Sequence, residues 1–394
     1  MRIGIDARLY KPGLGIGRYI EQLLKHLELY DTENEYVIFL RKENWDSYQP
    51  ANRNFYKILA DYPWYGWREQ IFFPKLLTRE RLDLVHFPHF NVPIFYHGPY
   101  VVTIHDSIMQ KMPISSRRAA TTLHPLLYTL KYTLYSLVLK NAARRARAII
   151  TVSHASEDDL VTYLHIAKKK IFVIPNGVTT LPLPAHQVPS LPKPFFLVVG
   201  SAYPHKNLDF LLTVWKKISK QYVQYHLVLC GQEDYFSALL RAKISQEGLE
   251  ARIHHIGTVS EQELAWLYQN TVALICPSLE EGFGLPAIEA LSFGTLVIAS
   301  RIPVFQEILG NAALFFDPRD PGELIGNIEK IVTDKSVRVK FQSIGPKQIQ
   351  RYTWNVVAKS TLAVYHHCLR PYNEILCPNF ISSSHHLRLK KFSK

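Results

Sequence analysis

Glu281 and Glu289, with seven residues between them, frame the loop and helix start of a 24-residue stretch, PSLEEGFGLPAIEALSFGTLVIAS, spanning residues 277–300. Between them, Gly282 and Gly284 let a backbone come close to a ligand. Amides that open the helix after them point outward at the positive end of its dipole, which suits phosphate. The bland alternative is that Glu280 and Glu281 only cap a helix N-terminus, where acids are favoured by roughly 0.3 to 1 kcal/mol. Neither Glu281 nor Glu289 reads as a core residue.

The elements that must hold this loop are legible around it. ALIC (273–276) and TLVIAS (295–300) are short, β-branched apolar runs, and LPAIEALSF between them has helical spacing. Together they predict a βαβ crossover. Other groups able to do chemistry lie just past strand-like runs, where ligands of open α/β sheets gather. His105 and Asp106 follow VVTI, His205 and Lys206 follow FFLVVGS, and His86 and His89 lie in HFPHFN with no role fixed by their spacing. A histidine at a strand end is as easily satisfied by a neighbouring carbonyl. Near the start, RIGIDARLY leads into KPGLGIGRYIEQLLKHL, whose Gly13, Gly15 and Gly17 punctuate a loop before a helix. Such a loop serves either phosphate or tight packing.

EGFGLPAIEA resembles the Glu-x7-Glu signature of family 4 retaining glycosyltransferases, GT-B enzymes in which two Rossmann-like domains face each other across a cleft. GIGRYIEQL, TIHD, GSAYPHKN and VSEQELAWLY resemble further segments of that family, so the likeness covers most of residues 1–370. It implies that Glu281 contacts donor-sugar hydroxyls and Glu289 the nucleotide ribose, with Phe283, Gly284 and Leu285 in the donor loop. By the same likeness a Gly15 amide meets the pyrophosphate, Lys206 clamps it, and His105 lies near sugar and acceptor. The family's frequent Arg after the strand-end Gly is Ser201 here, and His205 replaces an Arg before the Lys, so one charge of the clamp is expected to titrate near 6.5. No Asp-x-Asp ends a strand and no GxxxxGK[ST] occurs, which disfavours metal-anchored and P-loop enzymes. No metal or other cofactor is expected; the donor is a nucleotide sugar, with GDP-mannose suggested by the HKN variant.

At 394 residues the chain accommodates two domains. The expected division is 1–180, a proline-rich linker at 181–194, a donor domain at 195–350, a helix at 351–372 that returns to the first domain, and a basic tail at 373–394. Four cysteines without a CxxC pairing fit a reducing compartment, and MRIGIDARLY shows no export signal, so a cytoplasmic location is expected. Charge is uneven: 24 Lys and Arg against 16 Asp and Glu in 1–180, 15 against 16 in 181–350, and 7 against 1 in 351–394. Residues 113–147 add a long helical pattern whose leucines, 123 to 137, are flanked by Arg117, Arg118, Lys140, Arg144, Arg145 and Arg147. It is too polar to span a membrane. The basic half and tail therefore suggest a peripheral, anionic membrane face carrying a glycan or lipid-linked acceptor. Diffuse solubility charge is the simpler account. A nucleotide-sugar epimerase or hydrolase on the same fold is the alternative function; a basic nucleic-acid binder is a weaker one, since no recognition module is visible.

Overall fold

The computed structural model describes residues 1–11, 15–111, 124–179, 181–183, 186–188 and 191–369. Gly13 of the glycine loop, Arg117 and Arg118 of the basic helix, and the basic tail lie outside the described residues.

Buried apolar runs build two parallel sheets, as expected where helices cover both faces of every strand. The first contains β1 (Arg2–Asp6), β2 (Glu35–Leu40), β3 (Phe55–Leu59), β4 (Leu84–Phe87), β5 (Tyr100–Thr103), β6 (Ala148–Thr151) and β7 (Ile171–Val173), in the order 3-2-1-4-5-6-7. The second contains β8 (Phe195–Val199), β9 (His226–Cys230), β10 (Ile253–Gly257), β11 (Leu274–Cys276), β12 (Val297–Ser300) and β13 (Ala313–Phe316), in the order 10-9-8-11-12-13. All neighbouring strands pair in parallel. Strand order reverses between β1 and β4 and again between β8 and β11, and each reversal opens a crevice at the carboxyl ends of the strands.

In the first half the helices are α1 (Gly15–Tyr30), α2 (Trp67–Arg79), α3 (Ile108–Lys111), α4 (Pro125–Arg145) and α5 (His154–Leu164). In the second they are α6 (Leu208–Gln221), α7 (Tyr235–Gln246), α8 (Glu261–Asn270), α9 (Leu285–Ser292), α10 (Pro303–Leu309), α11 (Pro321–Thr333) and α12 (Lys335–Ile349). The last, α13 (Trp354–Leu369), packs on α1. Its Trp354, Val357, Ala358, Val364 and Tyr365 join Ile3, Ile5 and Ile20 in one core. The chain thus passes between the halves twice, and the two passages touch: the Val178 amide donates to Tyr352 O (2.9 Å) and Trp354 Nε1 to Thr179 Oγ1 (3.2 Å). Gly177 is needed there, because a Cβ would lie 2.4 Å from the Trp354 nitrogen.

Helix α4 departs from an ordinary core helix. Leu139, Ala142 and Ala143 are buried, but Leu127, Leu130, Leu134 and Leu137, which share one face, are 50 to 57% exposed. The charges at its end are not all free either. Arg145 is spent on the Ile94 and Tyr96 carbonyls and Arg147 on the Cys368 carbonyl. Trp67 on α2, Tyr65 just before it, and Phe95 in a loop that Gln70 of α2 and Arg145 of α4 both hold are also exposed.

Candidate functional site

The βαβ crossover is β11–α9–β12, and its first loop closes over the end of β8. Glu281 Oε1 accepts from Lys206 Nζ (2.6 Å) and from the Ser278 hydroxyl (2.7 Å); both bonds fall on one oxygen and neither engages Oε2. Burial alone would raise the Glu281 carboxyl. Lys206, the two hydrogen bonds and His205 outweigh it and hold the group below its ordinary range. Lys206 closes a short 3-10 turn, Pro204–Lys206, that the Leu279 amide ties to the loop through His205 O (2.7 Å). Its side chain lies over Gly200, whose positive φ of 139° ends β8. Lys206, Ser278, Glu281, Gly284, Pro286 and Phe305 line one depression at the carboxyl ends of β8 and β11.

His205 does not supply the titrating charge expected of it. Burial first, then the neighbouring Lys206, push its imidazole down to about 4, against a smaller pull from Glu281, so it is neutral at pH 7. The glycines also differ from the expectation of free ligand approach. A Cβ on Gly282 would lie 2.5 Å from the His105 carbonyl oxygen, so that glycine admits the facing domain's backbone. Gly284, at φ 87°, opens α9 and leaves no room beside the Phe305 ring. Phe283 buries its ring edge-on against Tyr352, leaving its backbone and that of Leu285 at the helix start.

Glu289 is a core residue, contrary to expectation, at 2% exposure. What makes that possible is Arg18, a residue for which sequence reasoning assigned no role. From α1, its guanidinium ion-pairs with Glu289 Oε1 and with Glu261 Oε1 (2.9 Å), while Tyr268 donates to Glu289 Oε2 (3.1 Å). Burial raises the Glu289 carboxyl above its ordinary range, and Arg18 and the Tyr268 hydroxyl offset only part of that. The available signal was an arginine inside the run Gly17 to Ile20 of α1, all of which is buried. Gly15, at φ 38°, begins the same helix with open space around it.

On the facing side, His105 Nε2 donates to the Pro88 carbonyl (3.0 Å), which leaves Nδ1 as an acceptor. Burial lowers its imidazole to about 4 despite that bond. Tyr19 packs edge-on against the ring, 4.8 Å between centroids. Asp106 is raised by burial and by the Glu281 charge across the cleft, although its Oδ1 accepts from the Ile108 amide. His86 does not line the cleft: it is fully buried between Tyr365 OH (2.6 Å) and Thr103 Oγ1 (2.8 Å). His89 is half-buried beside Phe90 and, like His86, is lowered to about 3 by burial and by His105. Polar contacts fix the two faces together. Ser153 Oγ donates to Gly282 O (2.9 Å), Lys111 bridges Glu280 (2.6 Å) and Asp159 (3.2 Å), and the Glu307 carboxylate accepts the His154 and Ala155 amides that open α5. Among the described residues no group of three or more His, Cys, Asp or Glu side chains converges to hold a metal ion.

Comparison with known proteins places this geometry in a family. Residues 14–180 match the family model Glycosyltransferase Family 4, and residues 183–348 match Glycosyl transferases group 1. The chain is 28% identical over 344 residues to the O-antigen chain mannosyltransferase RfbU of Salmonella typhimurium, covering 82% of this chain and 90% of that protein. It is 25% identical to O-antigen chain mannosyltransferase B of Escherichia coli, covering 68% and 73%. Among solved structures, sucrose-phosphate synthase from Thermosynechococcus elongatus superposes with a TM-score of 0.74 at 20% identity, over 93% of this chain and 98% of that one. Anabaena Alr3699/HepE in complex with UDP and glucose gives 0.69 at 17%, over 93% and 99%. With both halves matched and two Rossmann-like domains facing one another, this chain belongs to the nucleotide-sugar-dependent GT-B glycosyltransferases, a family 4 half joined to a group 1 half.

Proposed function

We propose that the protein is a retaining hexosyltransferase that moves mannose from GDP-mannose to a glycan or lipid-linked acceptor in polysaccharide synthesis. The observation that carries the donor site is the Lys206–Glu281 pair beneath the start of α9. In this reading the donor diphosphate lies against Lys206, the amides from Phe283 to Leu285 and a Gly15 amide. Glu281 turns its free Oε2 to sugar hydroxyls, and Glu289 takes the ribose. His205 contributes shape and a neutral ring rather than charge, and His105 offers Nδ1 to a sugar hydroxyl. The bond between the anomeric carbon and the diphosphate oxygen breaks with its electron pair leaving on the phosphate. The acceptor oxygen attacks from the same face, and its proton passes to the departing phosphate oxygen. The lysine and amides meet the charge that develops there. Mannose as the sugar is supported by the RfbU and mannosyltransferase B relatives, whose names state that activity.

The division of labour follows the chain: 1–180 for the acceptor, a 181–194 linker, 195–350 for the donor, and 351–372 returning to the first domain, with a basic tail at 373–394. The acceptor half carries the basic excess and the exposed leucine face of α4, with Trp67 and Phe95 nearby. We read that face as lying on the anionic cytoplasmic surface of a membrane, where basic residues contribute roughly 1 kcal/mol each. No described helix is long and apolar enough to cross a membrane. Lys131, Lys140 and Arg144 are the exposed charges of α4 available to lipid.

The test is product analysis with GDP-mannose and with UDP-glucose, each with and without a polyprenyl diphosphate-linked glycan. Transfer from GDP-mannose with an α-linkage by NMR is the expected result. An inverted β-linkage would overturn the retaining assignment, and sugar release at the same rate without acceptor the transferase assignment. Sedimentation with anionic and neutral vesicles tests the membrane surface. Binding should need anionic lipid, fall with salt, and weaken in Leu130→Ser/Leu134→Ser.

A further inference from the structure

Arg18 has no chemistry of its own in the transfer just described, yet its position is costly. It is 5% exposed, and its Nε is buried without a hydrogen-bond partner. A buried ion pair contributes little net stability compared with apolar residues of the same volume, and α1 is otherwise packed through Tyr19, Ile20, Leu23 and Leu24. A Met or Leu would fill the space without an orphaned donor. What the guanidinium does that those could not is face Glu289, which sits on α9 between the fully buried Ile288 and Ala290.

We propose that Arg18 is a positioning residue for nucleotide binding: reaching across from the facing domain, its guanidinium holds the Glu289 carboxylate in place as an acceptor for ribose hydroxyls. Ribose recognition is then complete only when the two domains are docked. This rests on the assignment of Glu289 to the ribose made above. The groups that face Glu289 are Arg18 from α1 and Glu261 and Tyr268 from α8, with Cys230 and Cys276 behind Tyr268. Arg18 is their only cation. Without it, burial and the Glu261 charge both favour a protonated Glu289, which presents a donor where a ribose hydroxyl needs an acceptor.

The experiment is calorimetric titration of the full-length protein with GDP and UDP and with their 2′,3′-dideoxy counterparts, from pH 6 to 9. Wild type should prefer the ribonucleotide and lose less of that preference toward pH 6 than Arg18→Met does. Arg18→Met should lose at least tenfold of that preference at pH 6 and regain it toward pH 9 as Glu289 ionises, while Arg18→Lys retains most of it throughout. Should Arg18→Met weaken ribo and dideoxy ligands alike at every pH, Arg18 is only structural and the inference is overturned. Glu289→Gln separates the two assignments. If it leaves the wild-type preference intact, the ribose assignment itself fails and Arg18 falls with it; if it abolishes the preference while Arg18→Met does not, only the role of Arg18 fails. Should Arg18→Met not fold, the Arg18→Lys profile decides: a preference as flat and as large as wild type supports the inference, and an equal loss for both ligands overturns it.

Discussion

Where the donor loop faces His105 the two domains handle charge differently, although Arg18 and Lys111 of the acceptor half are themselves paired with donor-side carboxylates. On the donor side charges are kept and paired within hydrogen-bond reach, with Lys206 on Glu281 and Ser278 beside them. On the acceptor side the histidines are stripped of charge: burial lowers His89 to about 3 and His105 to about 4, and His86, in the core behind them, to about 3. The difference fits a reaction in which charge develops on the leaving diphosphate while the incoming hydroxyl is neutral. A cation placed among the acceptor-side rings would compete for the departing phosphate.

Breaking the donor side should have the largest effect. Glu281→Gln removes the charge but keeps the shape, and turnover should fall by about two to three orders of magnitude, while the Kd for free GDP stays within a few-fold; calorimetry beside initial rates checks both. Lys206→Met comes next, with diphosphate binding weaker by roughly ten- to a hundredfold, the worth of a charge-assisted hydrogen bond. It should also move the acid limb of kcat upward in pH, because Lys206 opposes the burial that raises Glu281. An unmoved limb would mean that Glu281 does not titrate in that limb.

Acid should then expose the acceptor side. His86 is pushed to about 3 in the fold against an ordinary value near 6.5, so the unfolded chain takes up the proton first. Its contribution to stability is therefore present above pH 6.5 and is lost as pH falls toward 3, at roughly 1.4 kcal/mol per pH unit. Urea unfolding at pH 7 and pH 5 measures it, and His86→Gln should remove its share of the difference while those of His89, His105 and His205 remain. The smallest expected effect belongs to Leu134→Ser on the exposed face of α4, within about 0.5 kcal/mol. Leu139→Ala on the buried side of the same helix should cost about 2 to 5 kcal/mol.

Much of this was legible in the chain. The apolar runs and the Glu-x7-Glu spacing led to two parallel sheets and to the β11–α9–β12 crossover, because buried strands and helix starts are local properties. What escaped was everything that needs both domains at once. Arg18 and Glu289 are 271 residues apart, so nothing in the spacing of either announces the other. The same holds for Gly282, read as room for ligand and found to make room for the His105 carbonyl. His205 looked like a titrating stand-in for arginine because composition cannot report burial. Arg145 and Arg147 looked free for lipid because their carbonyl partners, in the 94–96 loop and at Cys368, lie far along the chain.

The return of α13 to the first domain bears on how the protein is made. Trp354, Val357 and Tyr365 complete the core under α1 and β1, so residues 1–180 leave a ribosome lacking part of their own interior. The second sheet, continuous from β8 to β13, can close while that apolar surface still waits for the last helix. Domains of most chains settle in the order of synthesis. Here the domain made first is finished last, and nascent chains stalled anywhere before residue 354 are the species on which a chaperone would act.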